Sequence, residues 1–222
     1  MLRTILIFTF FFGCVKSELS IENKNYELNY IKSFGGSNDD EANDIINTSD
    51  GGFMVIGSST SSDGLIQNKM GFESDIILMK FDSDKSIEWV KNYGGSKDDR
   101  GQSVVEVSGI GYALLGYSMS NDGDASNNEG FHDNWVILID SKGDIIWEKS
   151  YGFSGHDHAY NIIKTKDGNL FFNGFLDVTA SRGLGSTKKV GKSIKHGVGE
   201  FWCHKIDLGG NILWRKYFGG TN

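Results

Sequence analysis

Cysteine is scarce, positive charge is in deficit and helical periodicity is missing, and each shortage closes off a class of protein. Only Cys14 and Cys203 occur among 222 residues, which leaves at most one disulfide, and none if Cys14 is consumed as argued below. The net charge of −7 argues against nucleic acid, and against an anionic lipid surface, as the main partner. Outside the extreme N-terminus no stretch repeats its apolar residues at a 3.6-residue spacing. A serine nucleophile elbow, a phosphate-binding glycine loop and a zinc-binding helix motif are all lacking.

What the chain has instead is repetition. The phrase aromatic-x-Lys-x-aromatic-Gly occurs at Tyr30–Gly35, Trp89–Gly94, Trp147–Gly152 and Trp214–Gly219, with glycine-to-glycine steps of 59, 58 and 67 residues. Other landmarks keep the same register. Asp40, Asp99 and Asp157 form one column and Gly57, Gly116 and Gly174 a second. Further columns hold Asp82, Asp140 and Asp207, and Asp75, Asp133 and Glu200. Such agreement marks an array of one supersecondary unit.

Within a unit the pattern predicts four short strands. In the first they run from about Asp44 to Thr48, Phe53 to Gly57, Asp75 to Phe81 and Ile87 to Tyr93, rich in β-branched and aromatic residues and bounded by turn residues. Four antiparallel strands per unit, joined through glycine, describe the blade of a β-propeller. A lone blade has two faces to bury, so it needs neighbours stacked around an axis. The expected fold is therefore all-β, a propeller-like array of about three four-stranded blades (about 35–93, 94–151 and 152–218) preceded by one strand from Tyr26 to Phe34. The three inner strands that would partner that first strand are missing, so the expected ring is incomplete. Either a fragment or self-association through open blade edges accounts for this.

The recurring Trp89, Trp147 and Trp214 have two readings, packing between blades or stacking platforms for sugars, and packing is the common use of large aromatics. Asp40, Asp99 and Asp157 are expected to cap backbone amides where the blades join.

Aromatic-Gly-Gly-Ser-x-x-Asp (Phe34–Asp40, Tyr93–Asp99), Asp-Gly-Gly-aromatic (Asp50–Phe53) and Asp-x-x-Gly-x-x-x-Trp together resemble the propeller-type repeats of secreted and surface proteins in Bacteroidetes-type bacteria, including delta-60-like repeats. Some proteins of that type bear an endoglucanase label. The resemblance covers residues 26–222 and implies a propeller and export, with no established reaction. The third copy departs from it with Phe153-Ser154 where a second glycine is expected, and the second with Gly109-Ile110-Gly111. Quinoprotein propellers share Gly-x-x-x-Trp (Gly143–Trp147, Gly210–Trp214). Sialidase repeats place the tryptophan one residue closer.

The N-terminus reads as an export signal: Met1-Leu2-Arg3, an apolar run from Thr4 to Phe12, then Gly13-Cys14 and a polar turn at Lys16-Ser17-Glu18. The run is too short to span a bilayer. The small residue before Cys14 points to a lipobox, with residues 1–14 as signal, Cys14 as the lipidated N-terminus and 15–25 as a tether, against a plain secretory signal. The expected location is the cell envelope, at the outer membrane or cell surface. Cys203 shares a column with Leu78 and Val136 and reads as a small buried hydrophobe.

Three polar clusters remain. Arg182, Lys188, Lys189, Lys192 and Lys195 lie in the long connection of the third unit, either as a solvated loop or as a docking loop for an acidic polysaccharide or protein partner. Asp122, Asp124 and Glu129 offer oxygen donors for calcium, although an Asx-turn loop explains them as well and the copy at Asp63-Gly64-Leu65 has lost a carboxylate. His156-Asp157-His158 brings two imidazoles together, with no third ligand evident nearby. No pair of carboxylates stands out for glycoside hydrolysis, because the acids recur with the repeat, whereas catalytic residues break such symmetry. The sequence therefore points to a non-catalytic envelope module that binds or scaffolds a protein or glycan. The rival is the propeller part of a carbohydrate-active enzyme.

Overall fold

A computed structural model describes residues 32–177 and 199–218. The chain divides after Ser33, and all the described strands belong to the unit that begins at Phe34. They form three antiparallel sheets of four. The first contains β1 (Asp40–Asn47), β2 (Phe53–Ser59), β3 (Asp75–Phe81) and β4 (Ile87–Tyr93). The second contains β5 (Asp99–Val107), β6 (Gly111–Ser118), β7 (Asp133–Asp140) and β8 (Ile145–Tyr151). The third contains β9 (Ala159–Lys164), β10 (Leu170–Asp177), β11 (Gly199–Ile206) and β12 (Ile212–Phe218). Each sheet keeps its strands in chain order, and the described residues contain no helix. The protein is all-β, a propeller-like array of three blades.

The first strands of successive blades pack against one another, β1 on β5 and β5 on β9. A polar thread links these strands. Ser103 donates its hydroxyl hydrogen to the Asp44 carboxylate at 2.8 Å, and the Asn161 amide donates to Ser103 at 3.2 Å.

The apolar core lies between blades, as a two-faced strand requires. One cluster joins Met54, Ile56, Ile76 and Leu78 to Leu114, Trp135 and Ile137. The next joins Ala113, Leu115, Val136 and Leu138 to Ile162, Leu170 and Phe172. Successive residues of β6 and β7 thus serve opposite neighbours, so the middle blade reads as continuous apolar runs.

Repeat columns correspond to repeated contacts. Gly57, Gly116 and Gly174 pair with Ala42, Gly101 and Ala159 beside a bulge in the first strand of each blade. A Cβ there would lie 1.8 Å from the Glu41 carbonyl oxygen, 2.2 Å from that of Arg100 and 2.4 Å from that of His158. Asp82, Asp140 and Asp207 each accept two amide hydrogens at 2.8–2.9 Å in the turn before the last strand. Asp75 and Asp133 begin third strands and press on the joint glycines, leaving no room for a Cβ on Gly94 or Gly152.

One set of contacts is kept or lost together. In the first blade Lys80 is 2 % exposed and pairs with Asp50 at 2.8 Å, while Thr48 donates its hydroxyl hydrogen to Asp50 at 2.6 Å. Thr165, Asp167 and Lys205 repeat the trio in the third blade. In the second blade all three positions change, to Val107, Gly109 and the buried Leu138.

Several boundaries differ from the sequence reading, among them the end of β2, which lies at Ser59 rather than Gly57. The first strand begins at Asp40 rather than near Asp44, because Asp40–Ala42 pair with Gly57–Ser59 across the bulge, which strand propensity does not reveal. Of the strand expected over Tyr26–Phe34, residues up to 31 lie outside the described part, and 32–34 form no strand.

Candidate functional site

The blade joints hold most of the buried carboxylates, Asp99 and Asp157 among them, together with the exposed Asp40. Asp40 accepts the Gly36 amide hydrogen at 2.8 Å, Asp99 that of Gly95 at 2.7 Å and Asp157 that of Phe153 at 2.7 Å. Ser59 donates its hydroxyl hydrogen to the other oxygen of Asp40, and Ser118 to that of Asp99. The third joint has Leu176 in place of that serine, and the Asp177 amide donates to Asp157 instead, at 2.8 Å. Burial drives the Asp157 and Asp133 carboxyls up to about 7, against the amides that hold them.

The acidic loop of the second blade makes the same kind of contact. Asp122 accepts the Ser96 amide hydrogen at 2.8 Å, and its first-blade counterpart Asp63 accepts that of Ser37 at 2.7 Å. Asp124 accepts the Gly94 amide hydrogen at 3.2 Å, and the Glu129 backbone amide donates to Asp133. Asp122 and Asp124 are thus turned onto the joint of their own blade, a use the calcium reading did not anticipate.

Trp147 donates its indole hydrogen to the Leu208 carbonyl of the following blade at 2.9 Å, and Trp89 packs on the core between the first two blades. Trp214 contacts Phe171 of its own blade and is 38 % exposed. Cys203 is buried. Cys14 and the basic residues Arg182, Lys188, Lys189, Lys192 and Lys195 lie outside the described residues.

At the joint of the second and third blades the pattern breaks. His156 and His158 flank Asp157 where the other copies have Asp39 and Glu41 or Asp98 and Arg100, and His132 occupies the column of Ser74. His132 precedes β7 and forms a bridge with His156. Its carbonyl accepts the Asp157 amide hydrogen at 2.6 Å, so backbone contacts fix the pair. The rings converge. Nδ1 of His132 lies 2.9 Å from Nδ1 of His156 and 3.3 Å from Nε2 of His158, and one ligand atom from each ring falls within 4.8 Å of the others.

Neighbours hold the rings in place. Nε2 of His132 meets Asp98 Oδ2 at 3.1 Å, and the Arg100 guanidinium grips the same carboxylate at 3.0 Å. Burial raises the Asp98 carboxyl, but His132 and Arg100 outweigh it and leave it below its ordinary value. Tyr117 stacks on His158 with centroids 4.4 Å apart, and Phe131 stacks on His156 at 4.7 Å. Burial, then the two other imidazoles, lower His158 to about 4, so its ring is neutral at neutral pH.

The sequence showed two of these histidines and missed His132, which arrives from the neighbouring blade. Its departure from the repeat column was the available signal.

No protein-family model matches the chain, and no curated protein matches it. Among solved structures, a mutant apocarotenoid oxygenase of Synechocystis aligns with 75 % of this chain at 12 % identity and a TM-score of 0.36. The alignment spans 35 % of that protein's length.

Proposed function

We propose that this chain is an exported, envelope-anchored module that binds or scaffolds a protein or polysaccharide, with its propeller-like array as a non-catalytic platform. The observation that supports this reading is the use of the recurring acids. Asp40, Asp99 and Asp157 each hold backbone amides within a joint, so these acids serve the fold. The leader and its Cys14 supply the envelope anchor, and the basic segment from Arg182 to Lys195 supplies a docking loop for an acidic ligand. Self-association through blade edges belongs to the same reading.

The test is retention of the full chain on neutral and acidic polysaccharides, with reducing-end release measured in the same samples. Saturable retention without release is expected, weakened on acidic polymers when Lys188, Lys189, Lys192 and Lys195 become Gln. Release abolished by Asp99→Asn in a folded protein would replace this reading with that of a glycoside hydrolase part. Fatty-acid labelling lost on Cys14→Ser tests the anchor, and sedimentation of the full chain tests self-association.

A further inference from the structure

We propose that His132, His156 and His158 form a binding site for a divalent transition-metal ion of the zinc class, which would clasp the second and third blades together. The site goes beyond the binding-module reading and stands or falls separately from it.

Ligand type comes first. Imidazole nitrogen suits zinc and its neighbours in the first transition row, whereas calcium and magnesium want oxygen. Three imidazole ligands leave a fourth position of a tetrahedron for water or a ligand.

Geometry comes second. Zinc–nitrogen bonds of about 2.0–2.1 Å in a tetrahedron hold the ligand nitrogens roughly 3.4 Å apart. The His132 nitrogen already lies 2.9 Å from one partner and 3.3 Å from the other, and all three ligand atoms lie within 4.8 Å of one another. Small ring rotations about fixed backbones bring the set to bonding distance.

The outer contacts point the same way. Asp98 at Nε2 of His132 makes that nitrogen the donor and leaves the Nδ1 lone pair facing the other two rings. A carboxylate behind a ligating histidine fixes the tautomer and raises the basicity of the ligand. With only one lone pair at Nδ1, two imidazoles compete for a single acceptor, whereas a cation accepts electron pairs from all three rings.

The cluster is also confined to one joint. The equivalent positions in the first two blades carry Asp39 and Glu41, and Asp98 and Arg100, so turn geometry does not call for imidazole here. Residues that serve the turn follow the repeat, as Asp40, Asp99 and Asp157 do.

The experiment is titration of the chelator-stripped full chain with Zn²⁺ by calorimetry, with Ca²⁺ and Mg²⁺ in parallel. One Zn²⁺ per chain is expected, together with a higher melting temperature that the other two ions do not give. His132→Ala and His158→Ala are expected to abolish the one-to-one step. Asp98→Asn should retain the stoichiometry and weaken affinity about 10–100-fold. Because joint variants could unfold, Co²⁺ added to the unaltered protein provides a second reading, and the intense visible bands of a tetrahedral site are expected. Absence of a saturable one-to-one Zn²⁺ step in the unaltered chain, or its persistence when all three histidines are replaced, would overturn the proposal.

Discussion

Tyr151 donates its hydroxyl hydrogen to the Gly210 carbonyl across a blade boundary at 2.7 Å. Tyr93 repeats the contact one blade earlier, to Gly143 at 2.8 Å. Gly143 and Gly210 adopt φ of 85° and 74°, and a Cβ on either would crowd the tyrosine hydroxyl. The first and second blades thus each end in a tyrosine that fastens the blade to the last turn of the next. Burial pushes the Tyr151 phenol well above its usual range, so the hydroxyl keeps its proton and donates. Tyr151→Phe leaves a buried carbonyl unpaired and is expected to lower stability by about 1–2 kcal/mol. Urea denaturation checks this, and an unchanged midpoint would show that the fastening contributes nothing.

Gly116→Ala meets backbone rather than a yielding side chain, since its Cβ would sit 2.2 Å from the Arg100 carbonyl oxygen. The bulge in β5 would have to open, at about 3 kcal/mol or more. Gly168, where an added Cβ meets nothing within 4 Å but φ is 84°, gives a comparison in which only backbone strain acts. A larger loss of melting temperature at Gly116 than at Gly168 is expected.

His204 is fully buried, with both ring nitrogens unpartnered, stacked on Phe172 at 4.7 Å and edge-on to Trp202. The repeat places Met79 and Ile137 in its column. His204→Met is expected to stabilise the fold by about 1–3 kcal/mol by removing buried polar atoms without partners. Burial, then Arg215, lowers the His204 pKa from 6.5 to about 2. Its contribution is whole above 6.5 and declines as pH falls toward the folded value, so the variant should flatten that acid-side loss. Thermal melts from pH 7 down to pH 4 measure both effects.

Asp75 acts on the opposite limb. Burial raises its carboxyl from 3.8 to about 7, and one oxygen has no partner. The protonated form is favoured in the fold, so its stability contribution is full below 3.8 and is lost as pH rises through 7. Asp75→Asn should remove that loss and gain on the order of 2 kcal/mol at pH 8 relative to pH 4. Parallel pH profiles for variant and parent would refute the assignment.

The array, the blade length and the bounds of β3 and β4 were legible because turn chemistry and strand composition are local. The column of Asp40, Asp99 and Asp157 was legible as amide-capping residues for the same reason. The start of β1 was hidden, since pairing across a bulge depends on a partner strand and not on β propensity. The histidine site was half visible. His156 and His158 are neighbours in sequence, but His132 lies 24 residues from His156 and reaches it only through the stacking of blades. No ligand-spacing motif encodes that approach.

The trio of Thr48, Asp50 and Lys80 bears on how the copies diverged. Once a unit has been duplicated, each copy is free to drift, yet a lone change of Asp50 would remove one of the two carboxylates paired with a lysine in the interior and leave only Glu88. The second copy instead carries Val107, Gly109 and Leu138, an apolar solution complete at all three places. The three positions therefore differ as one linked set, and a comparison of single positions among the copies would count one coupled difference as three independent ones.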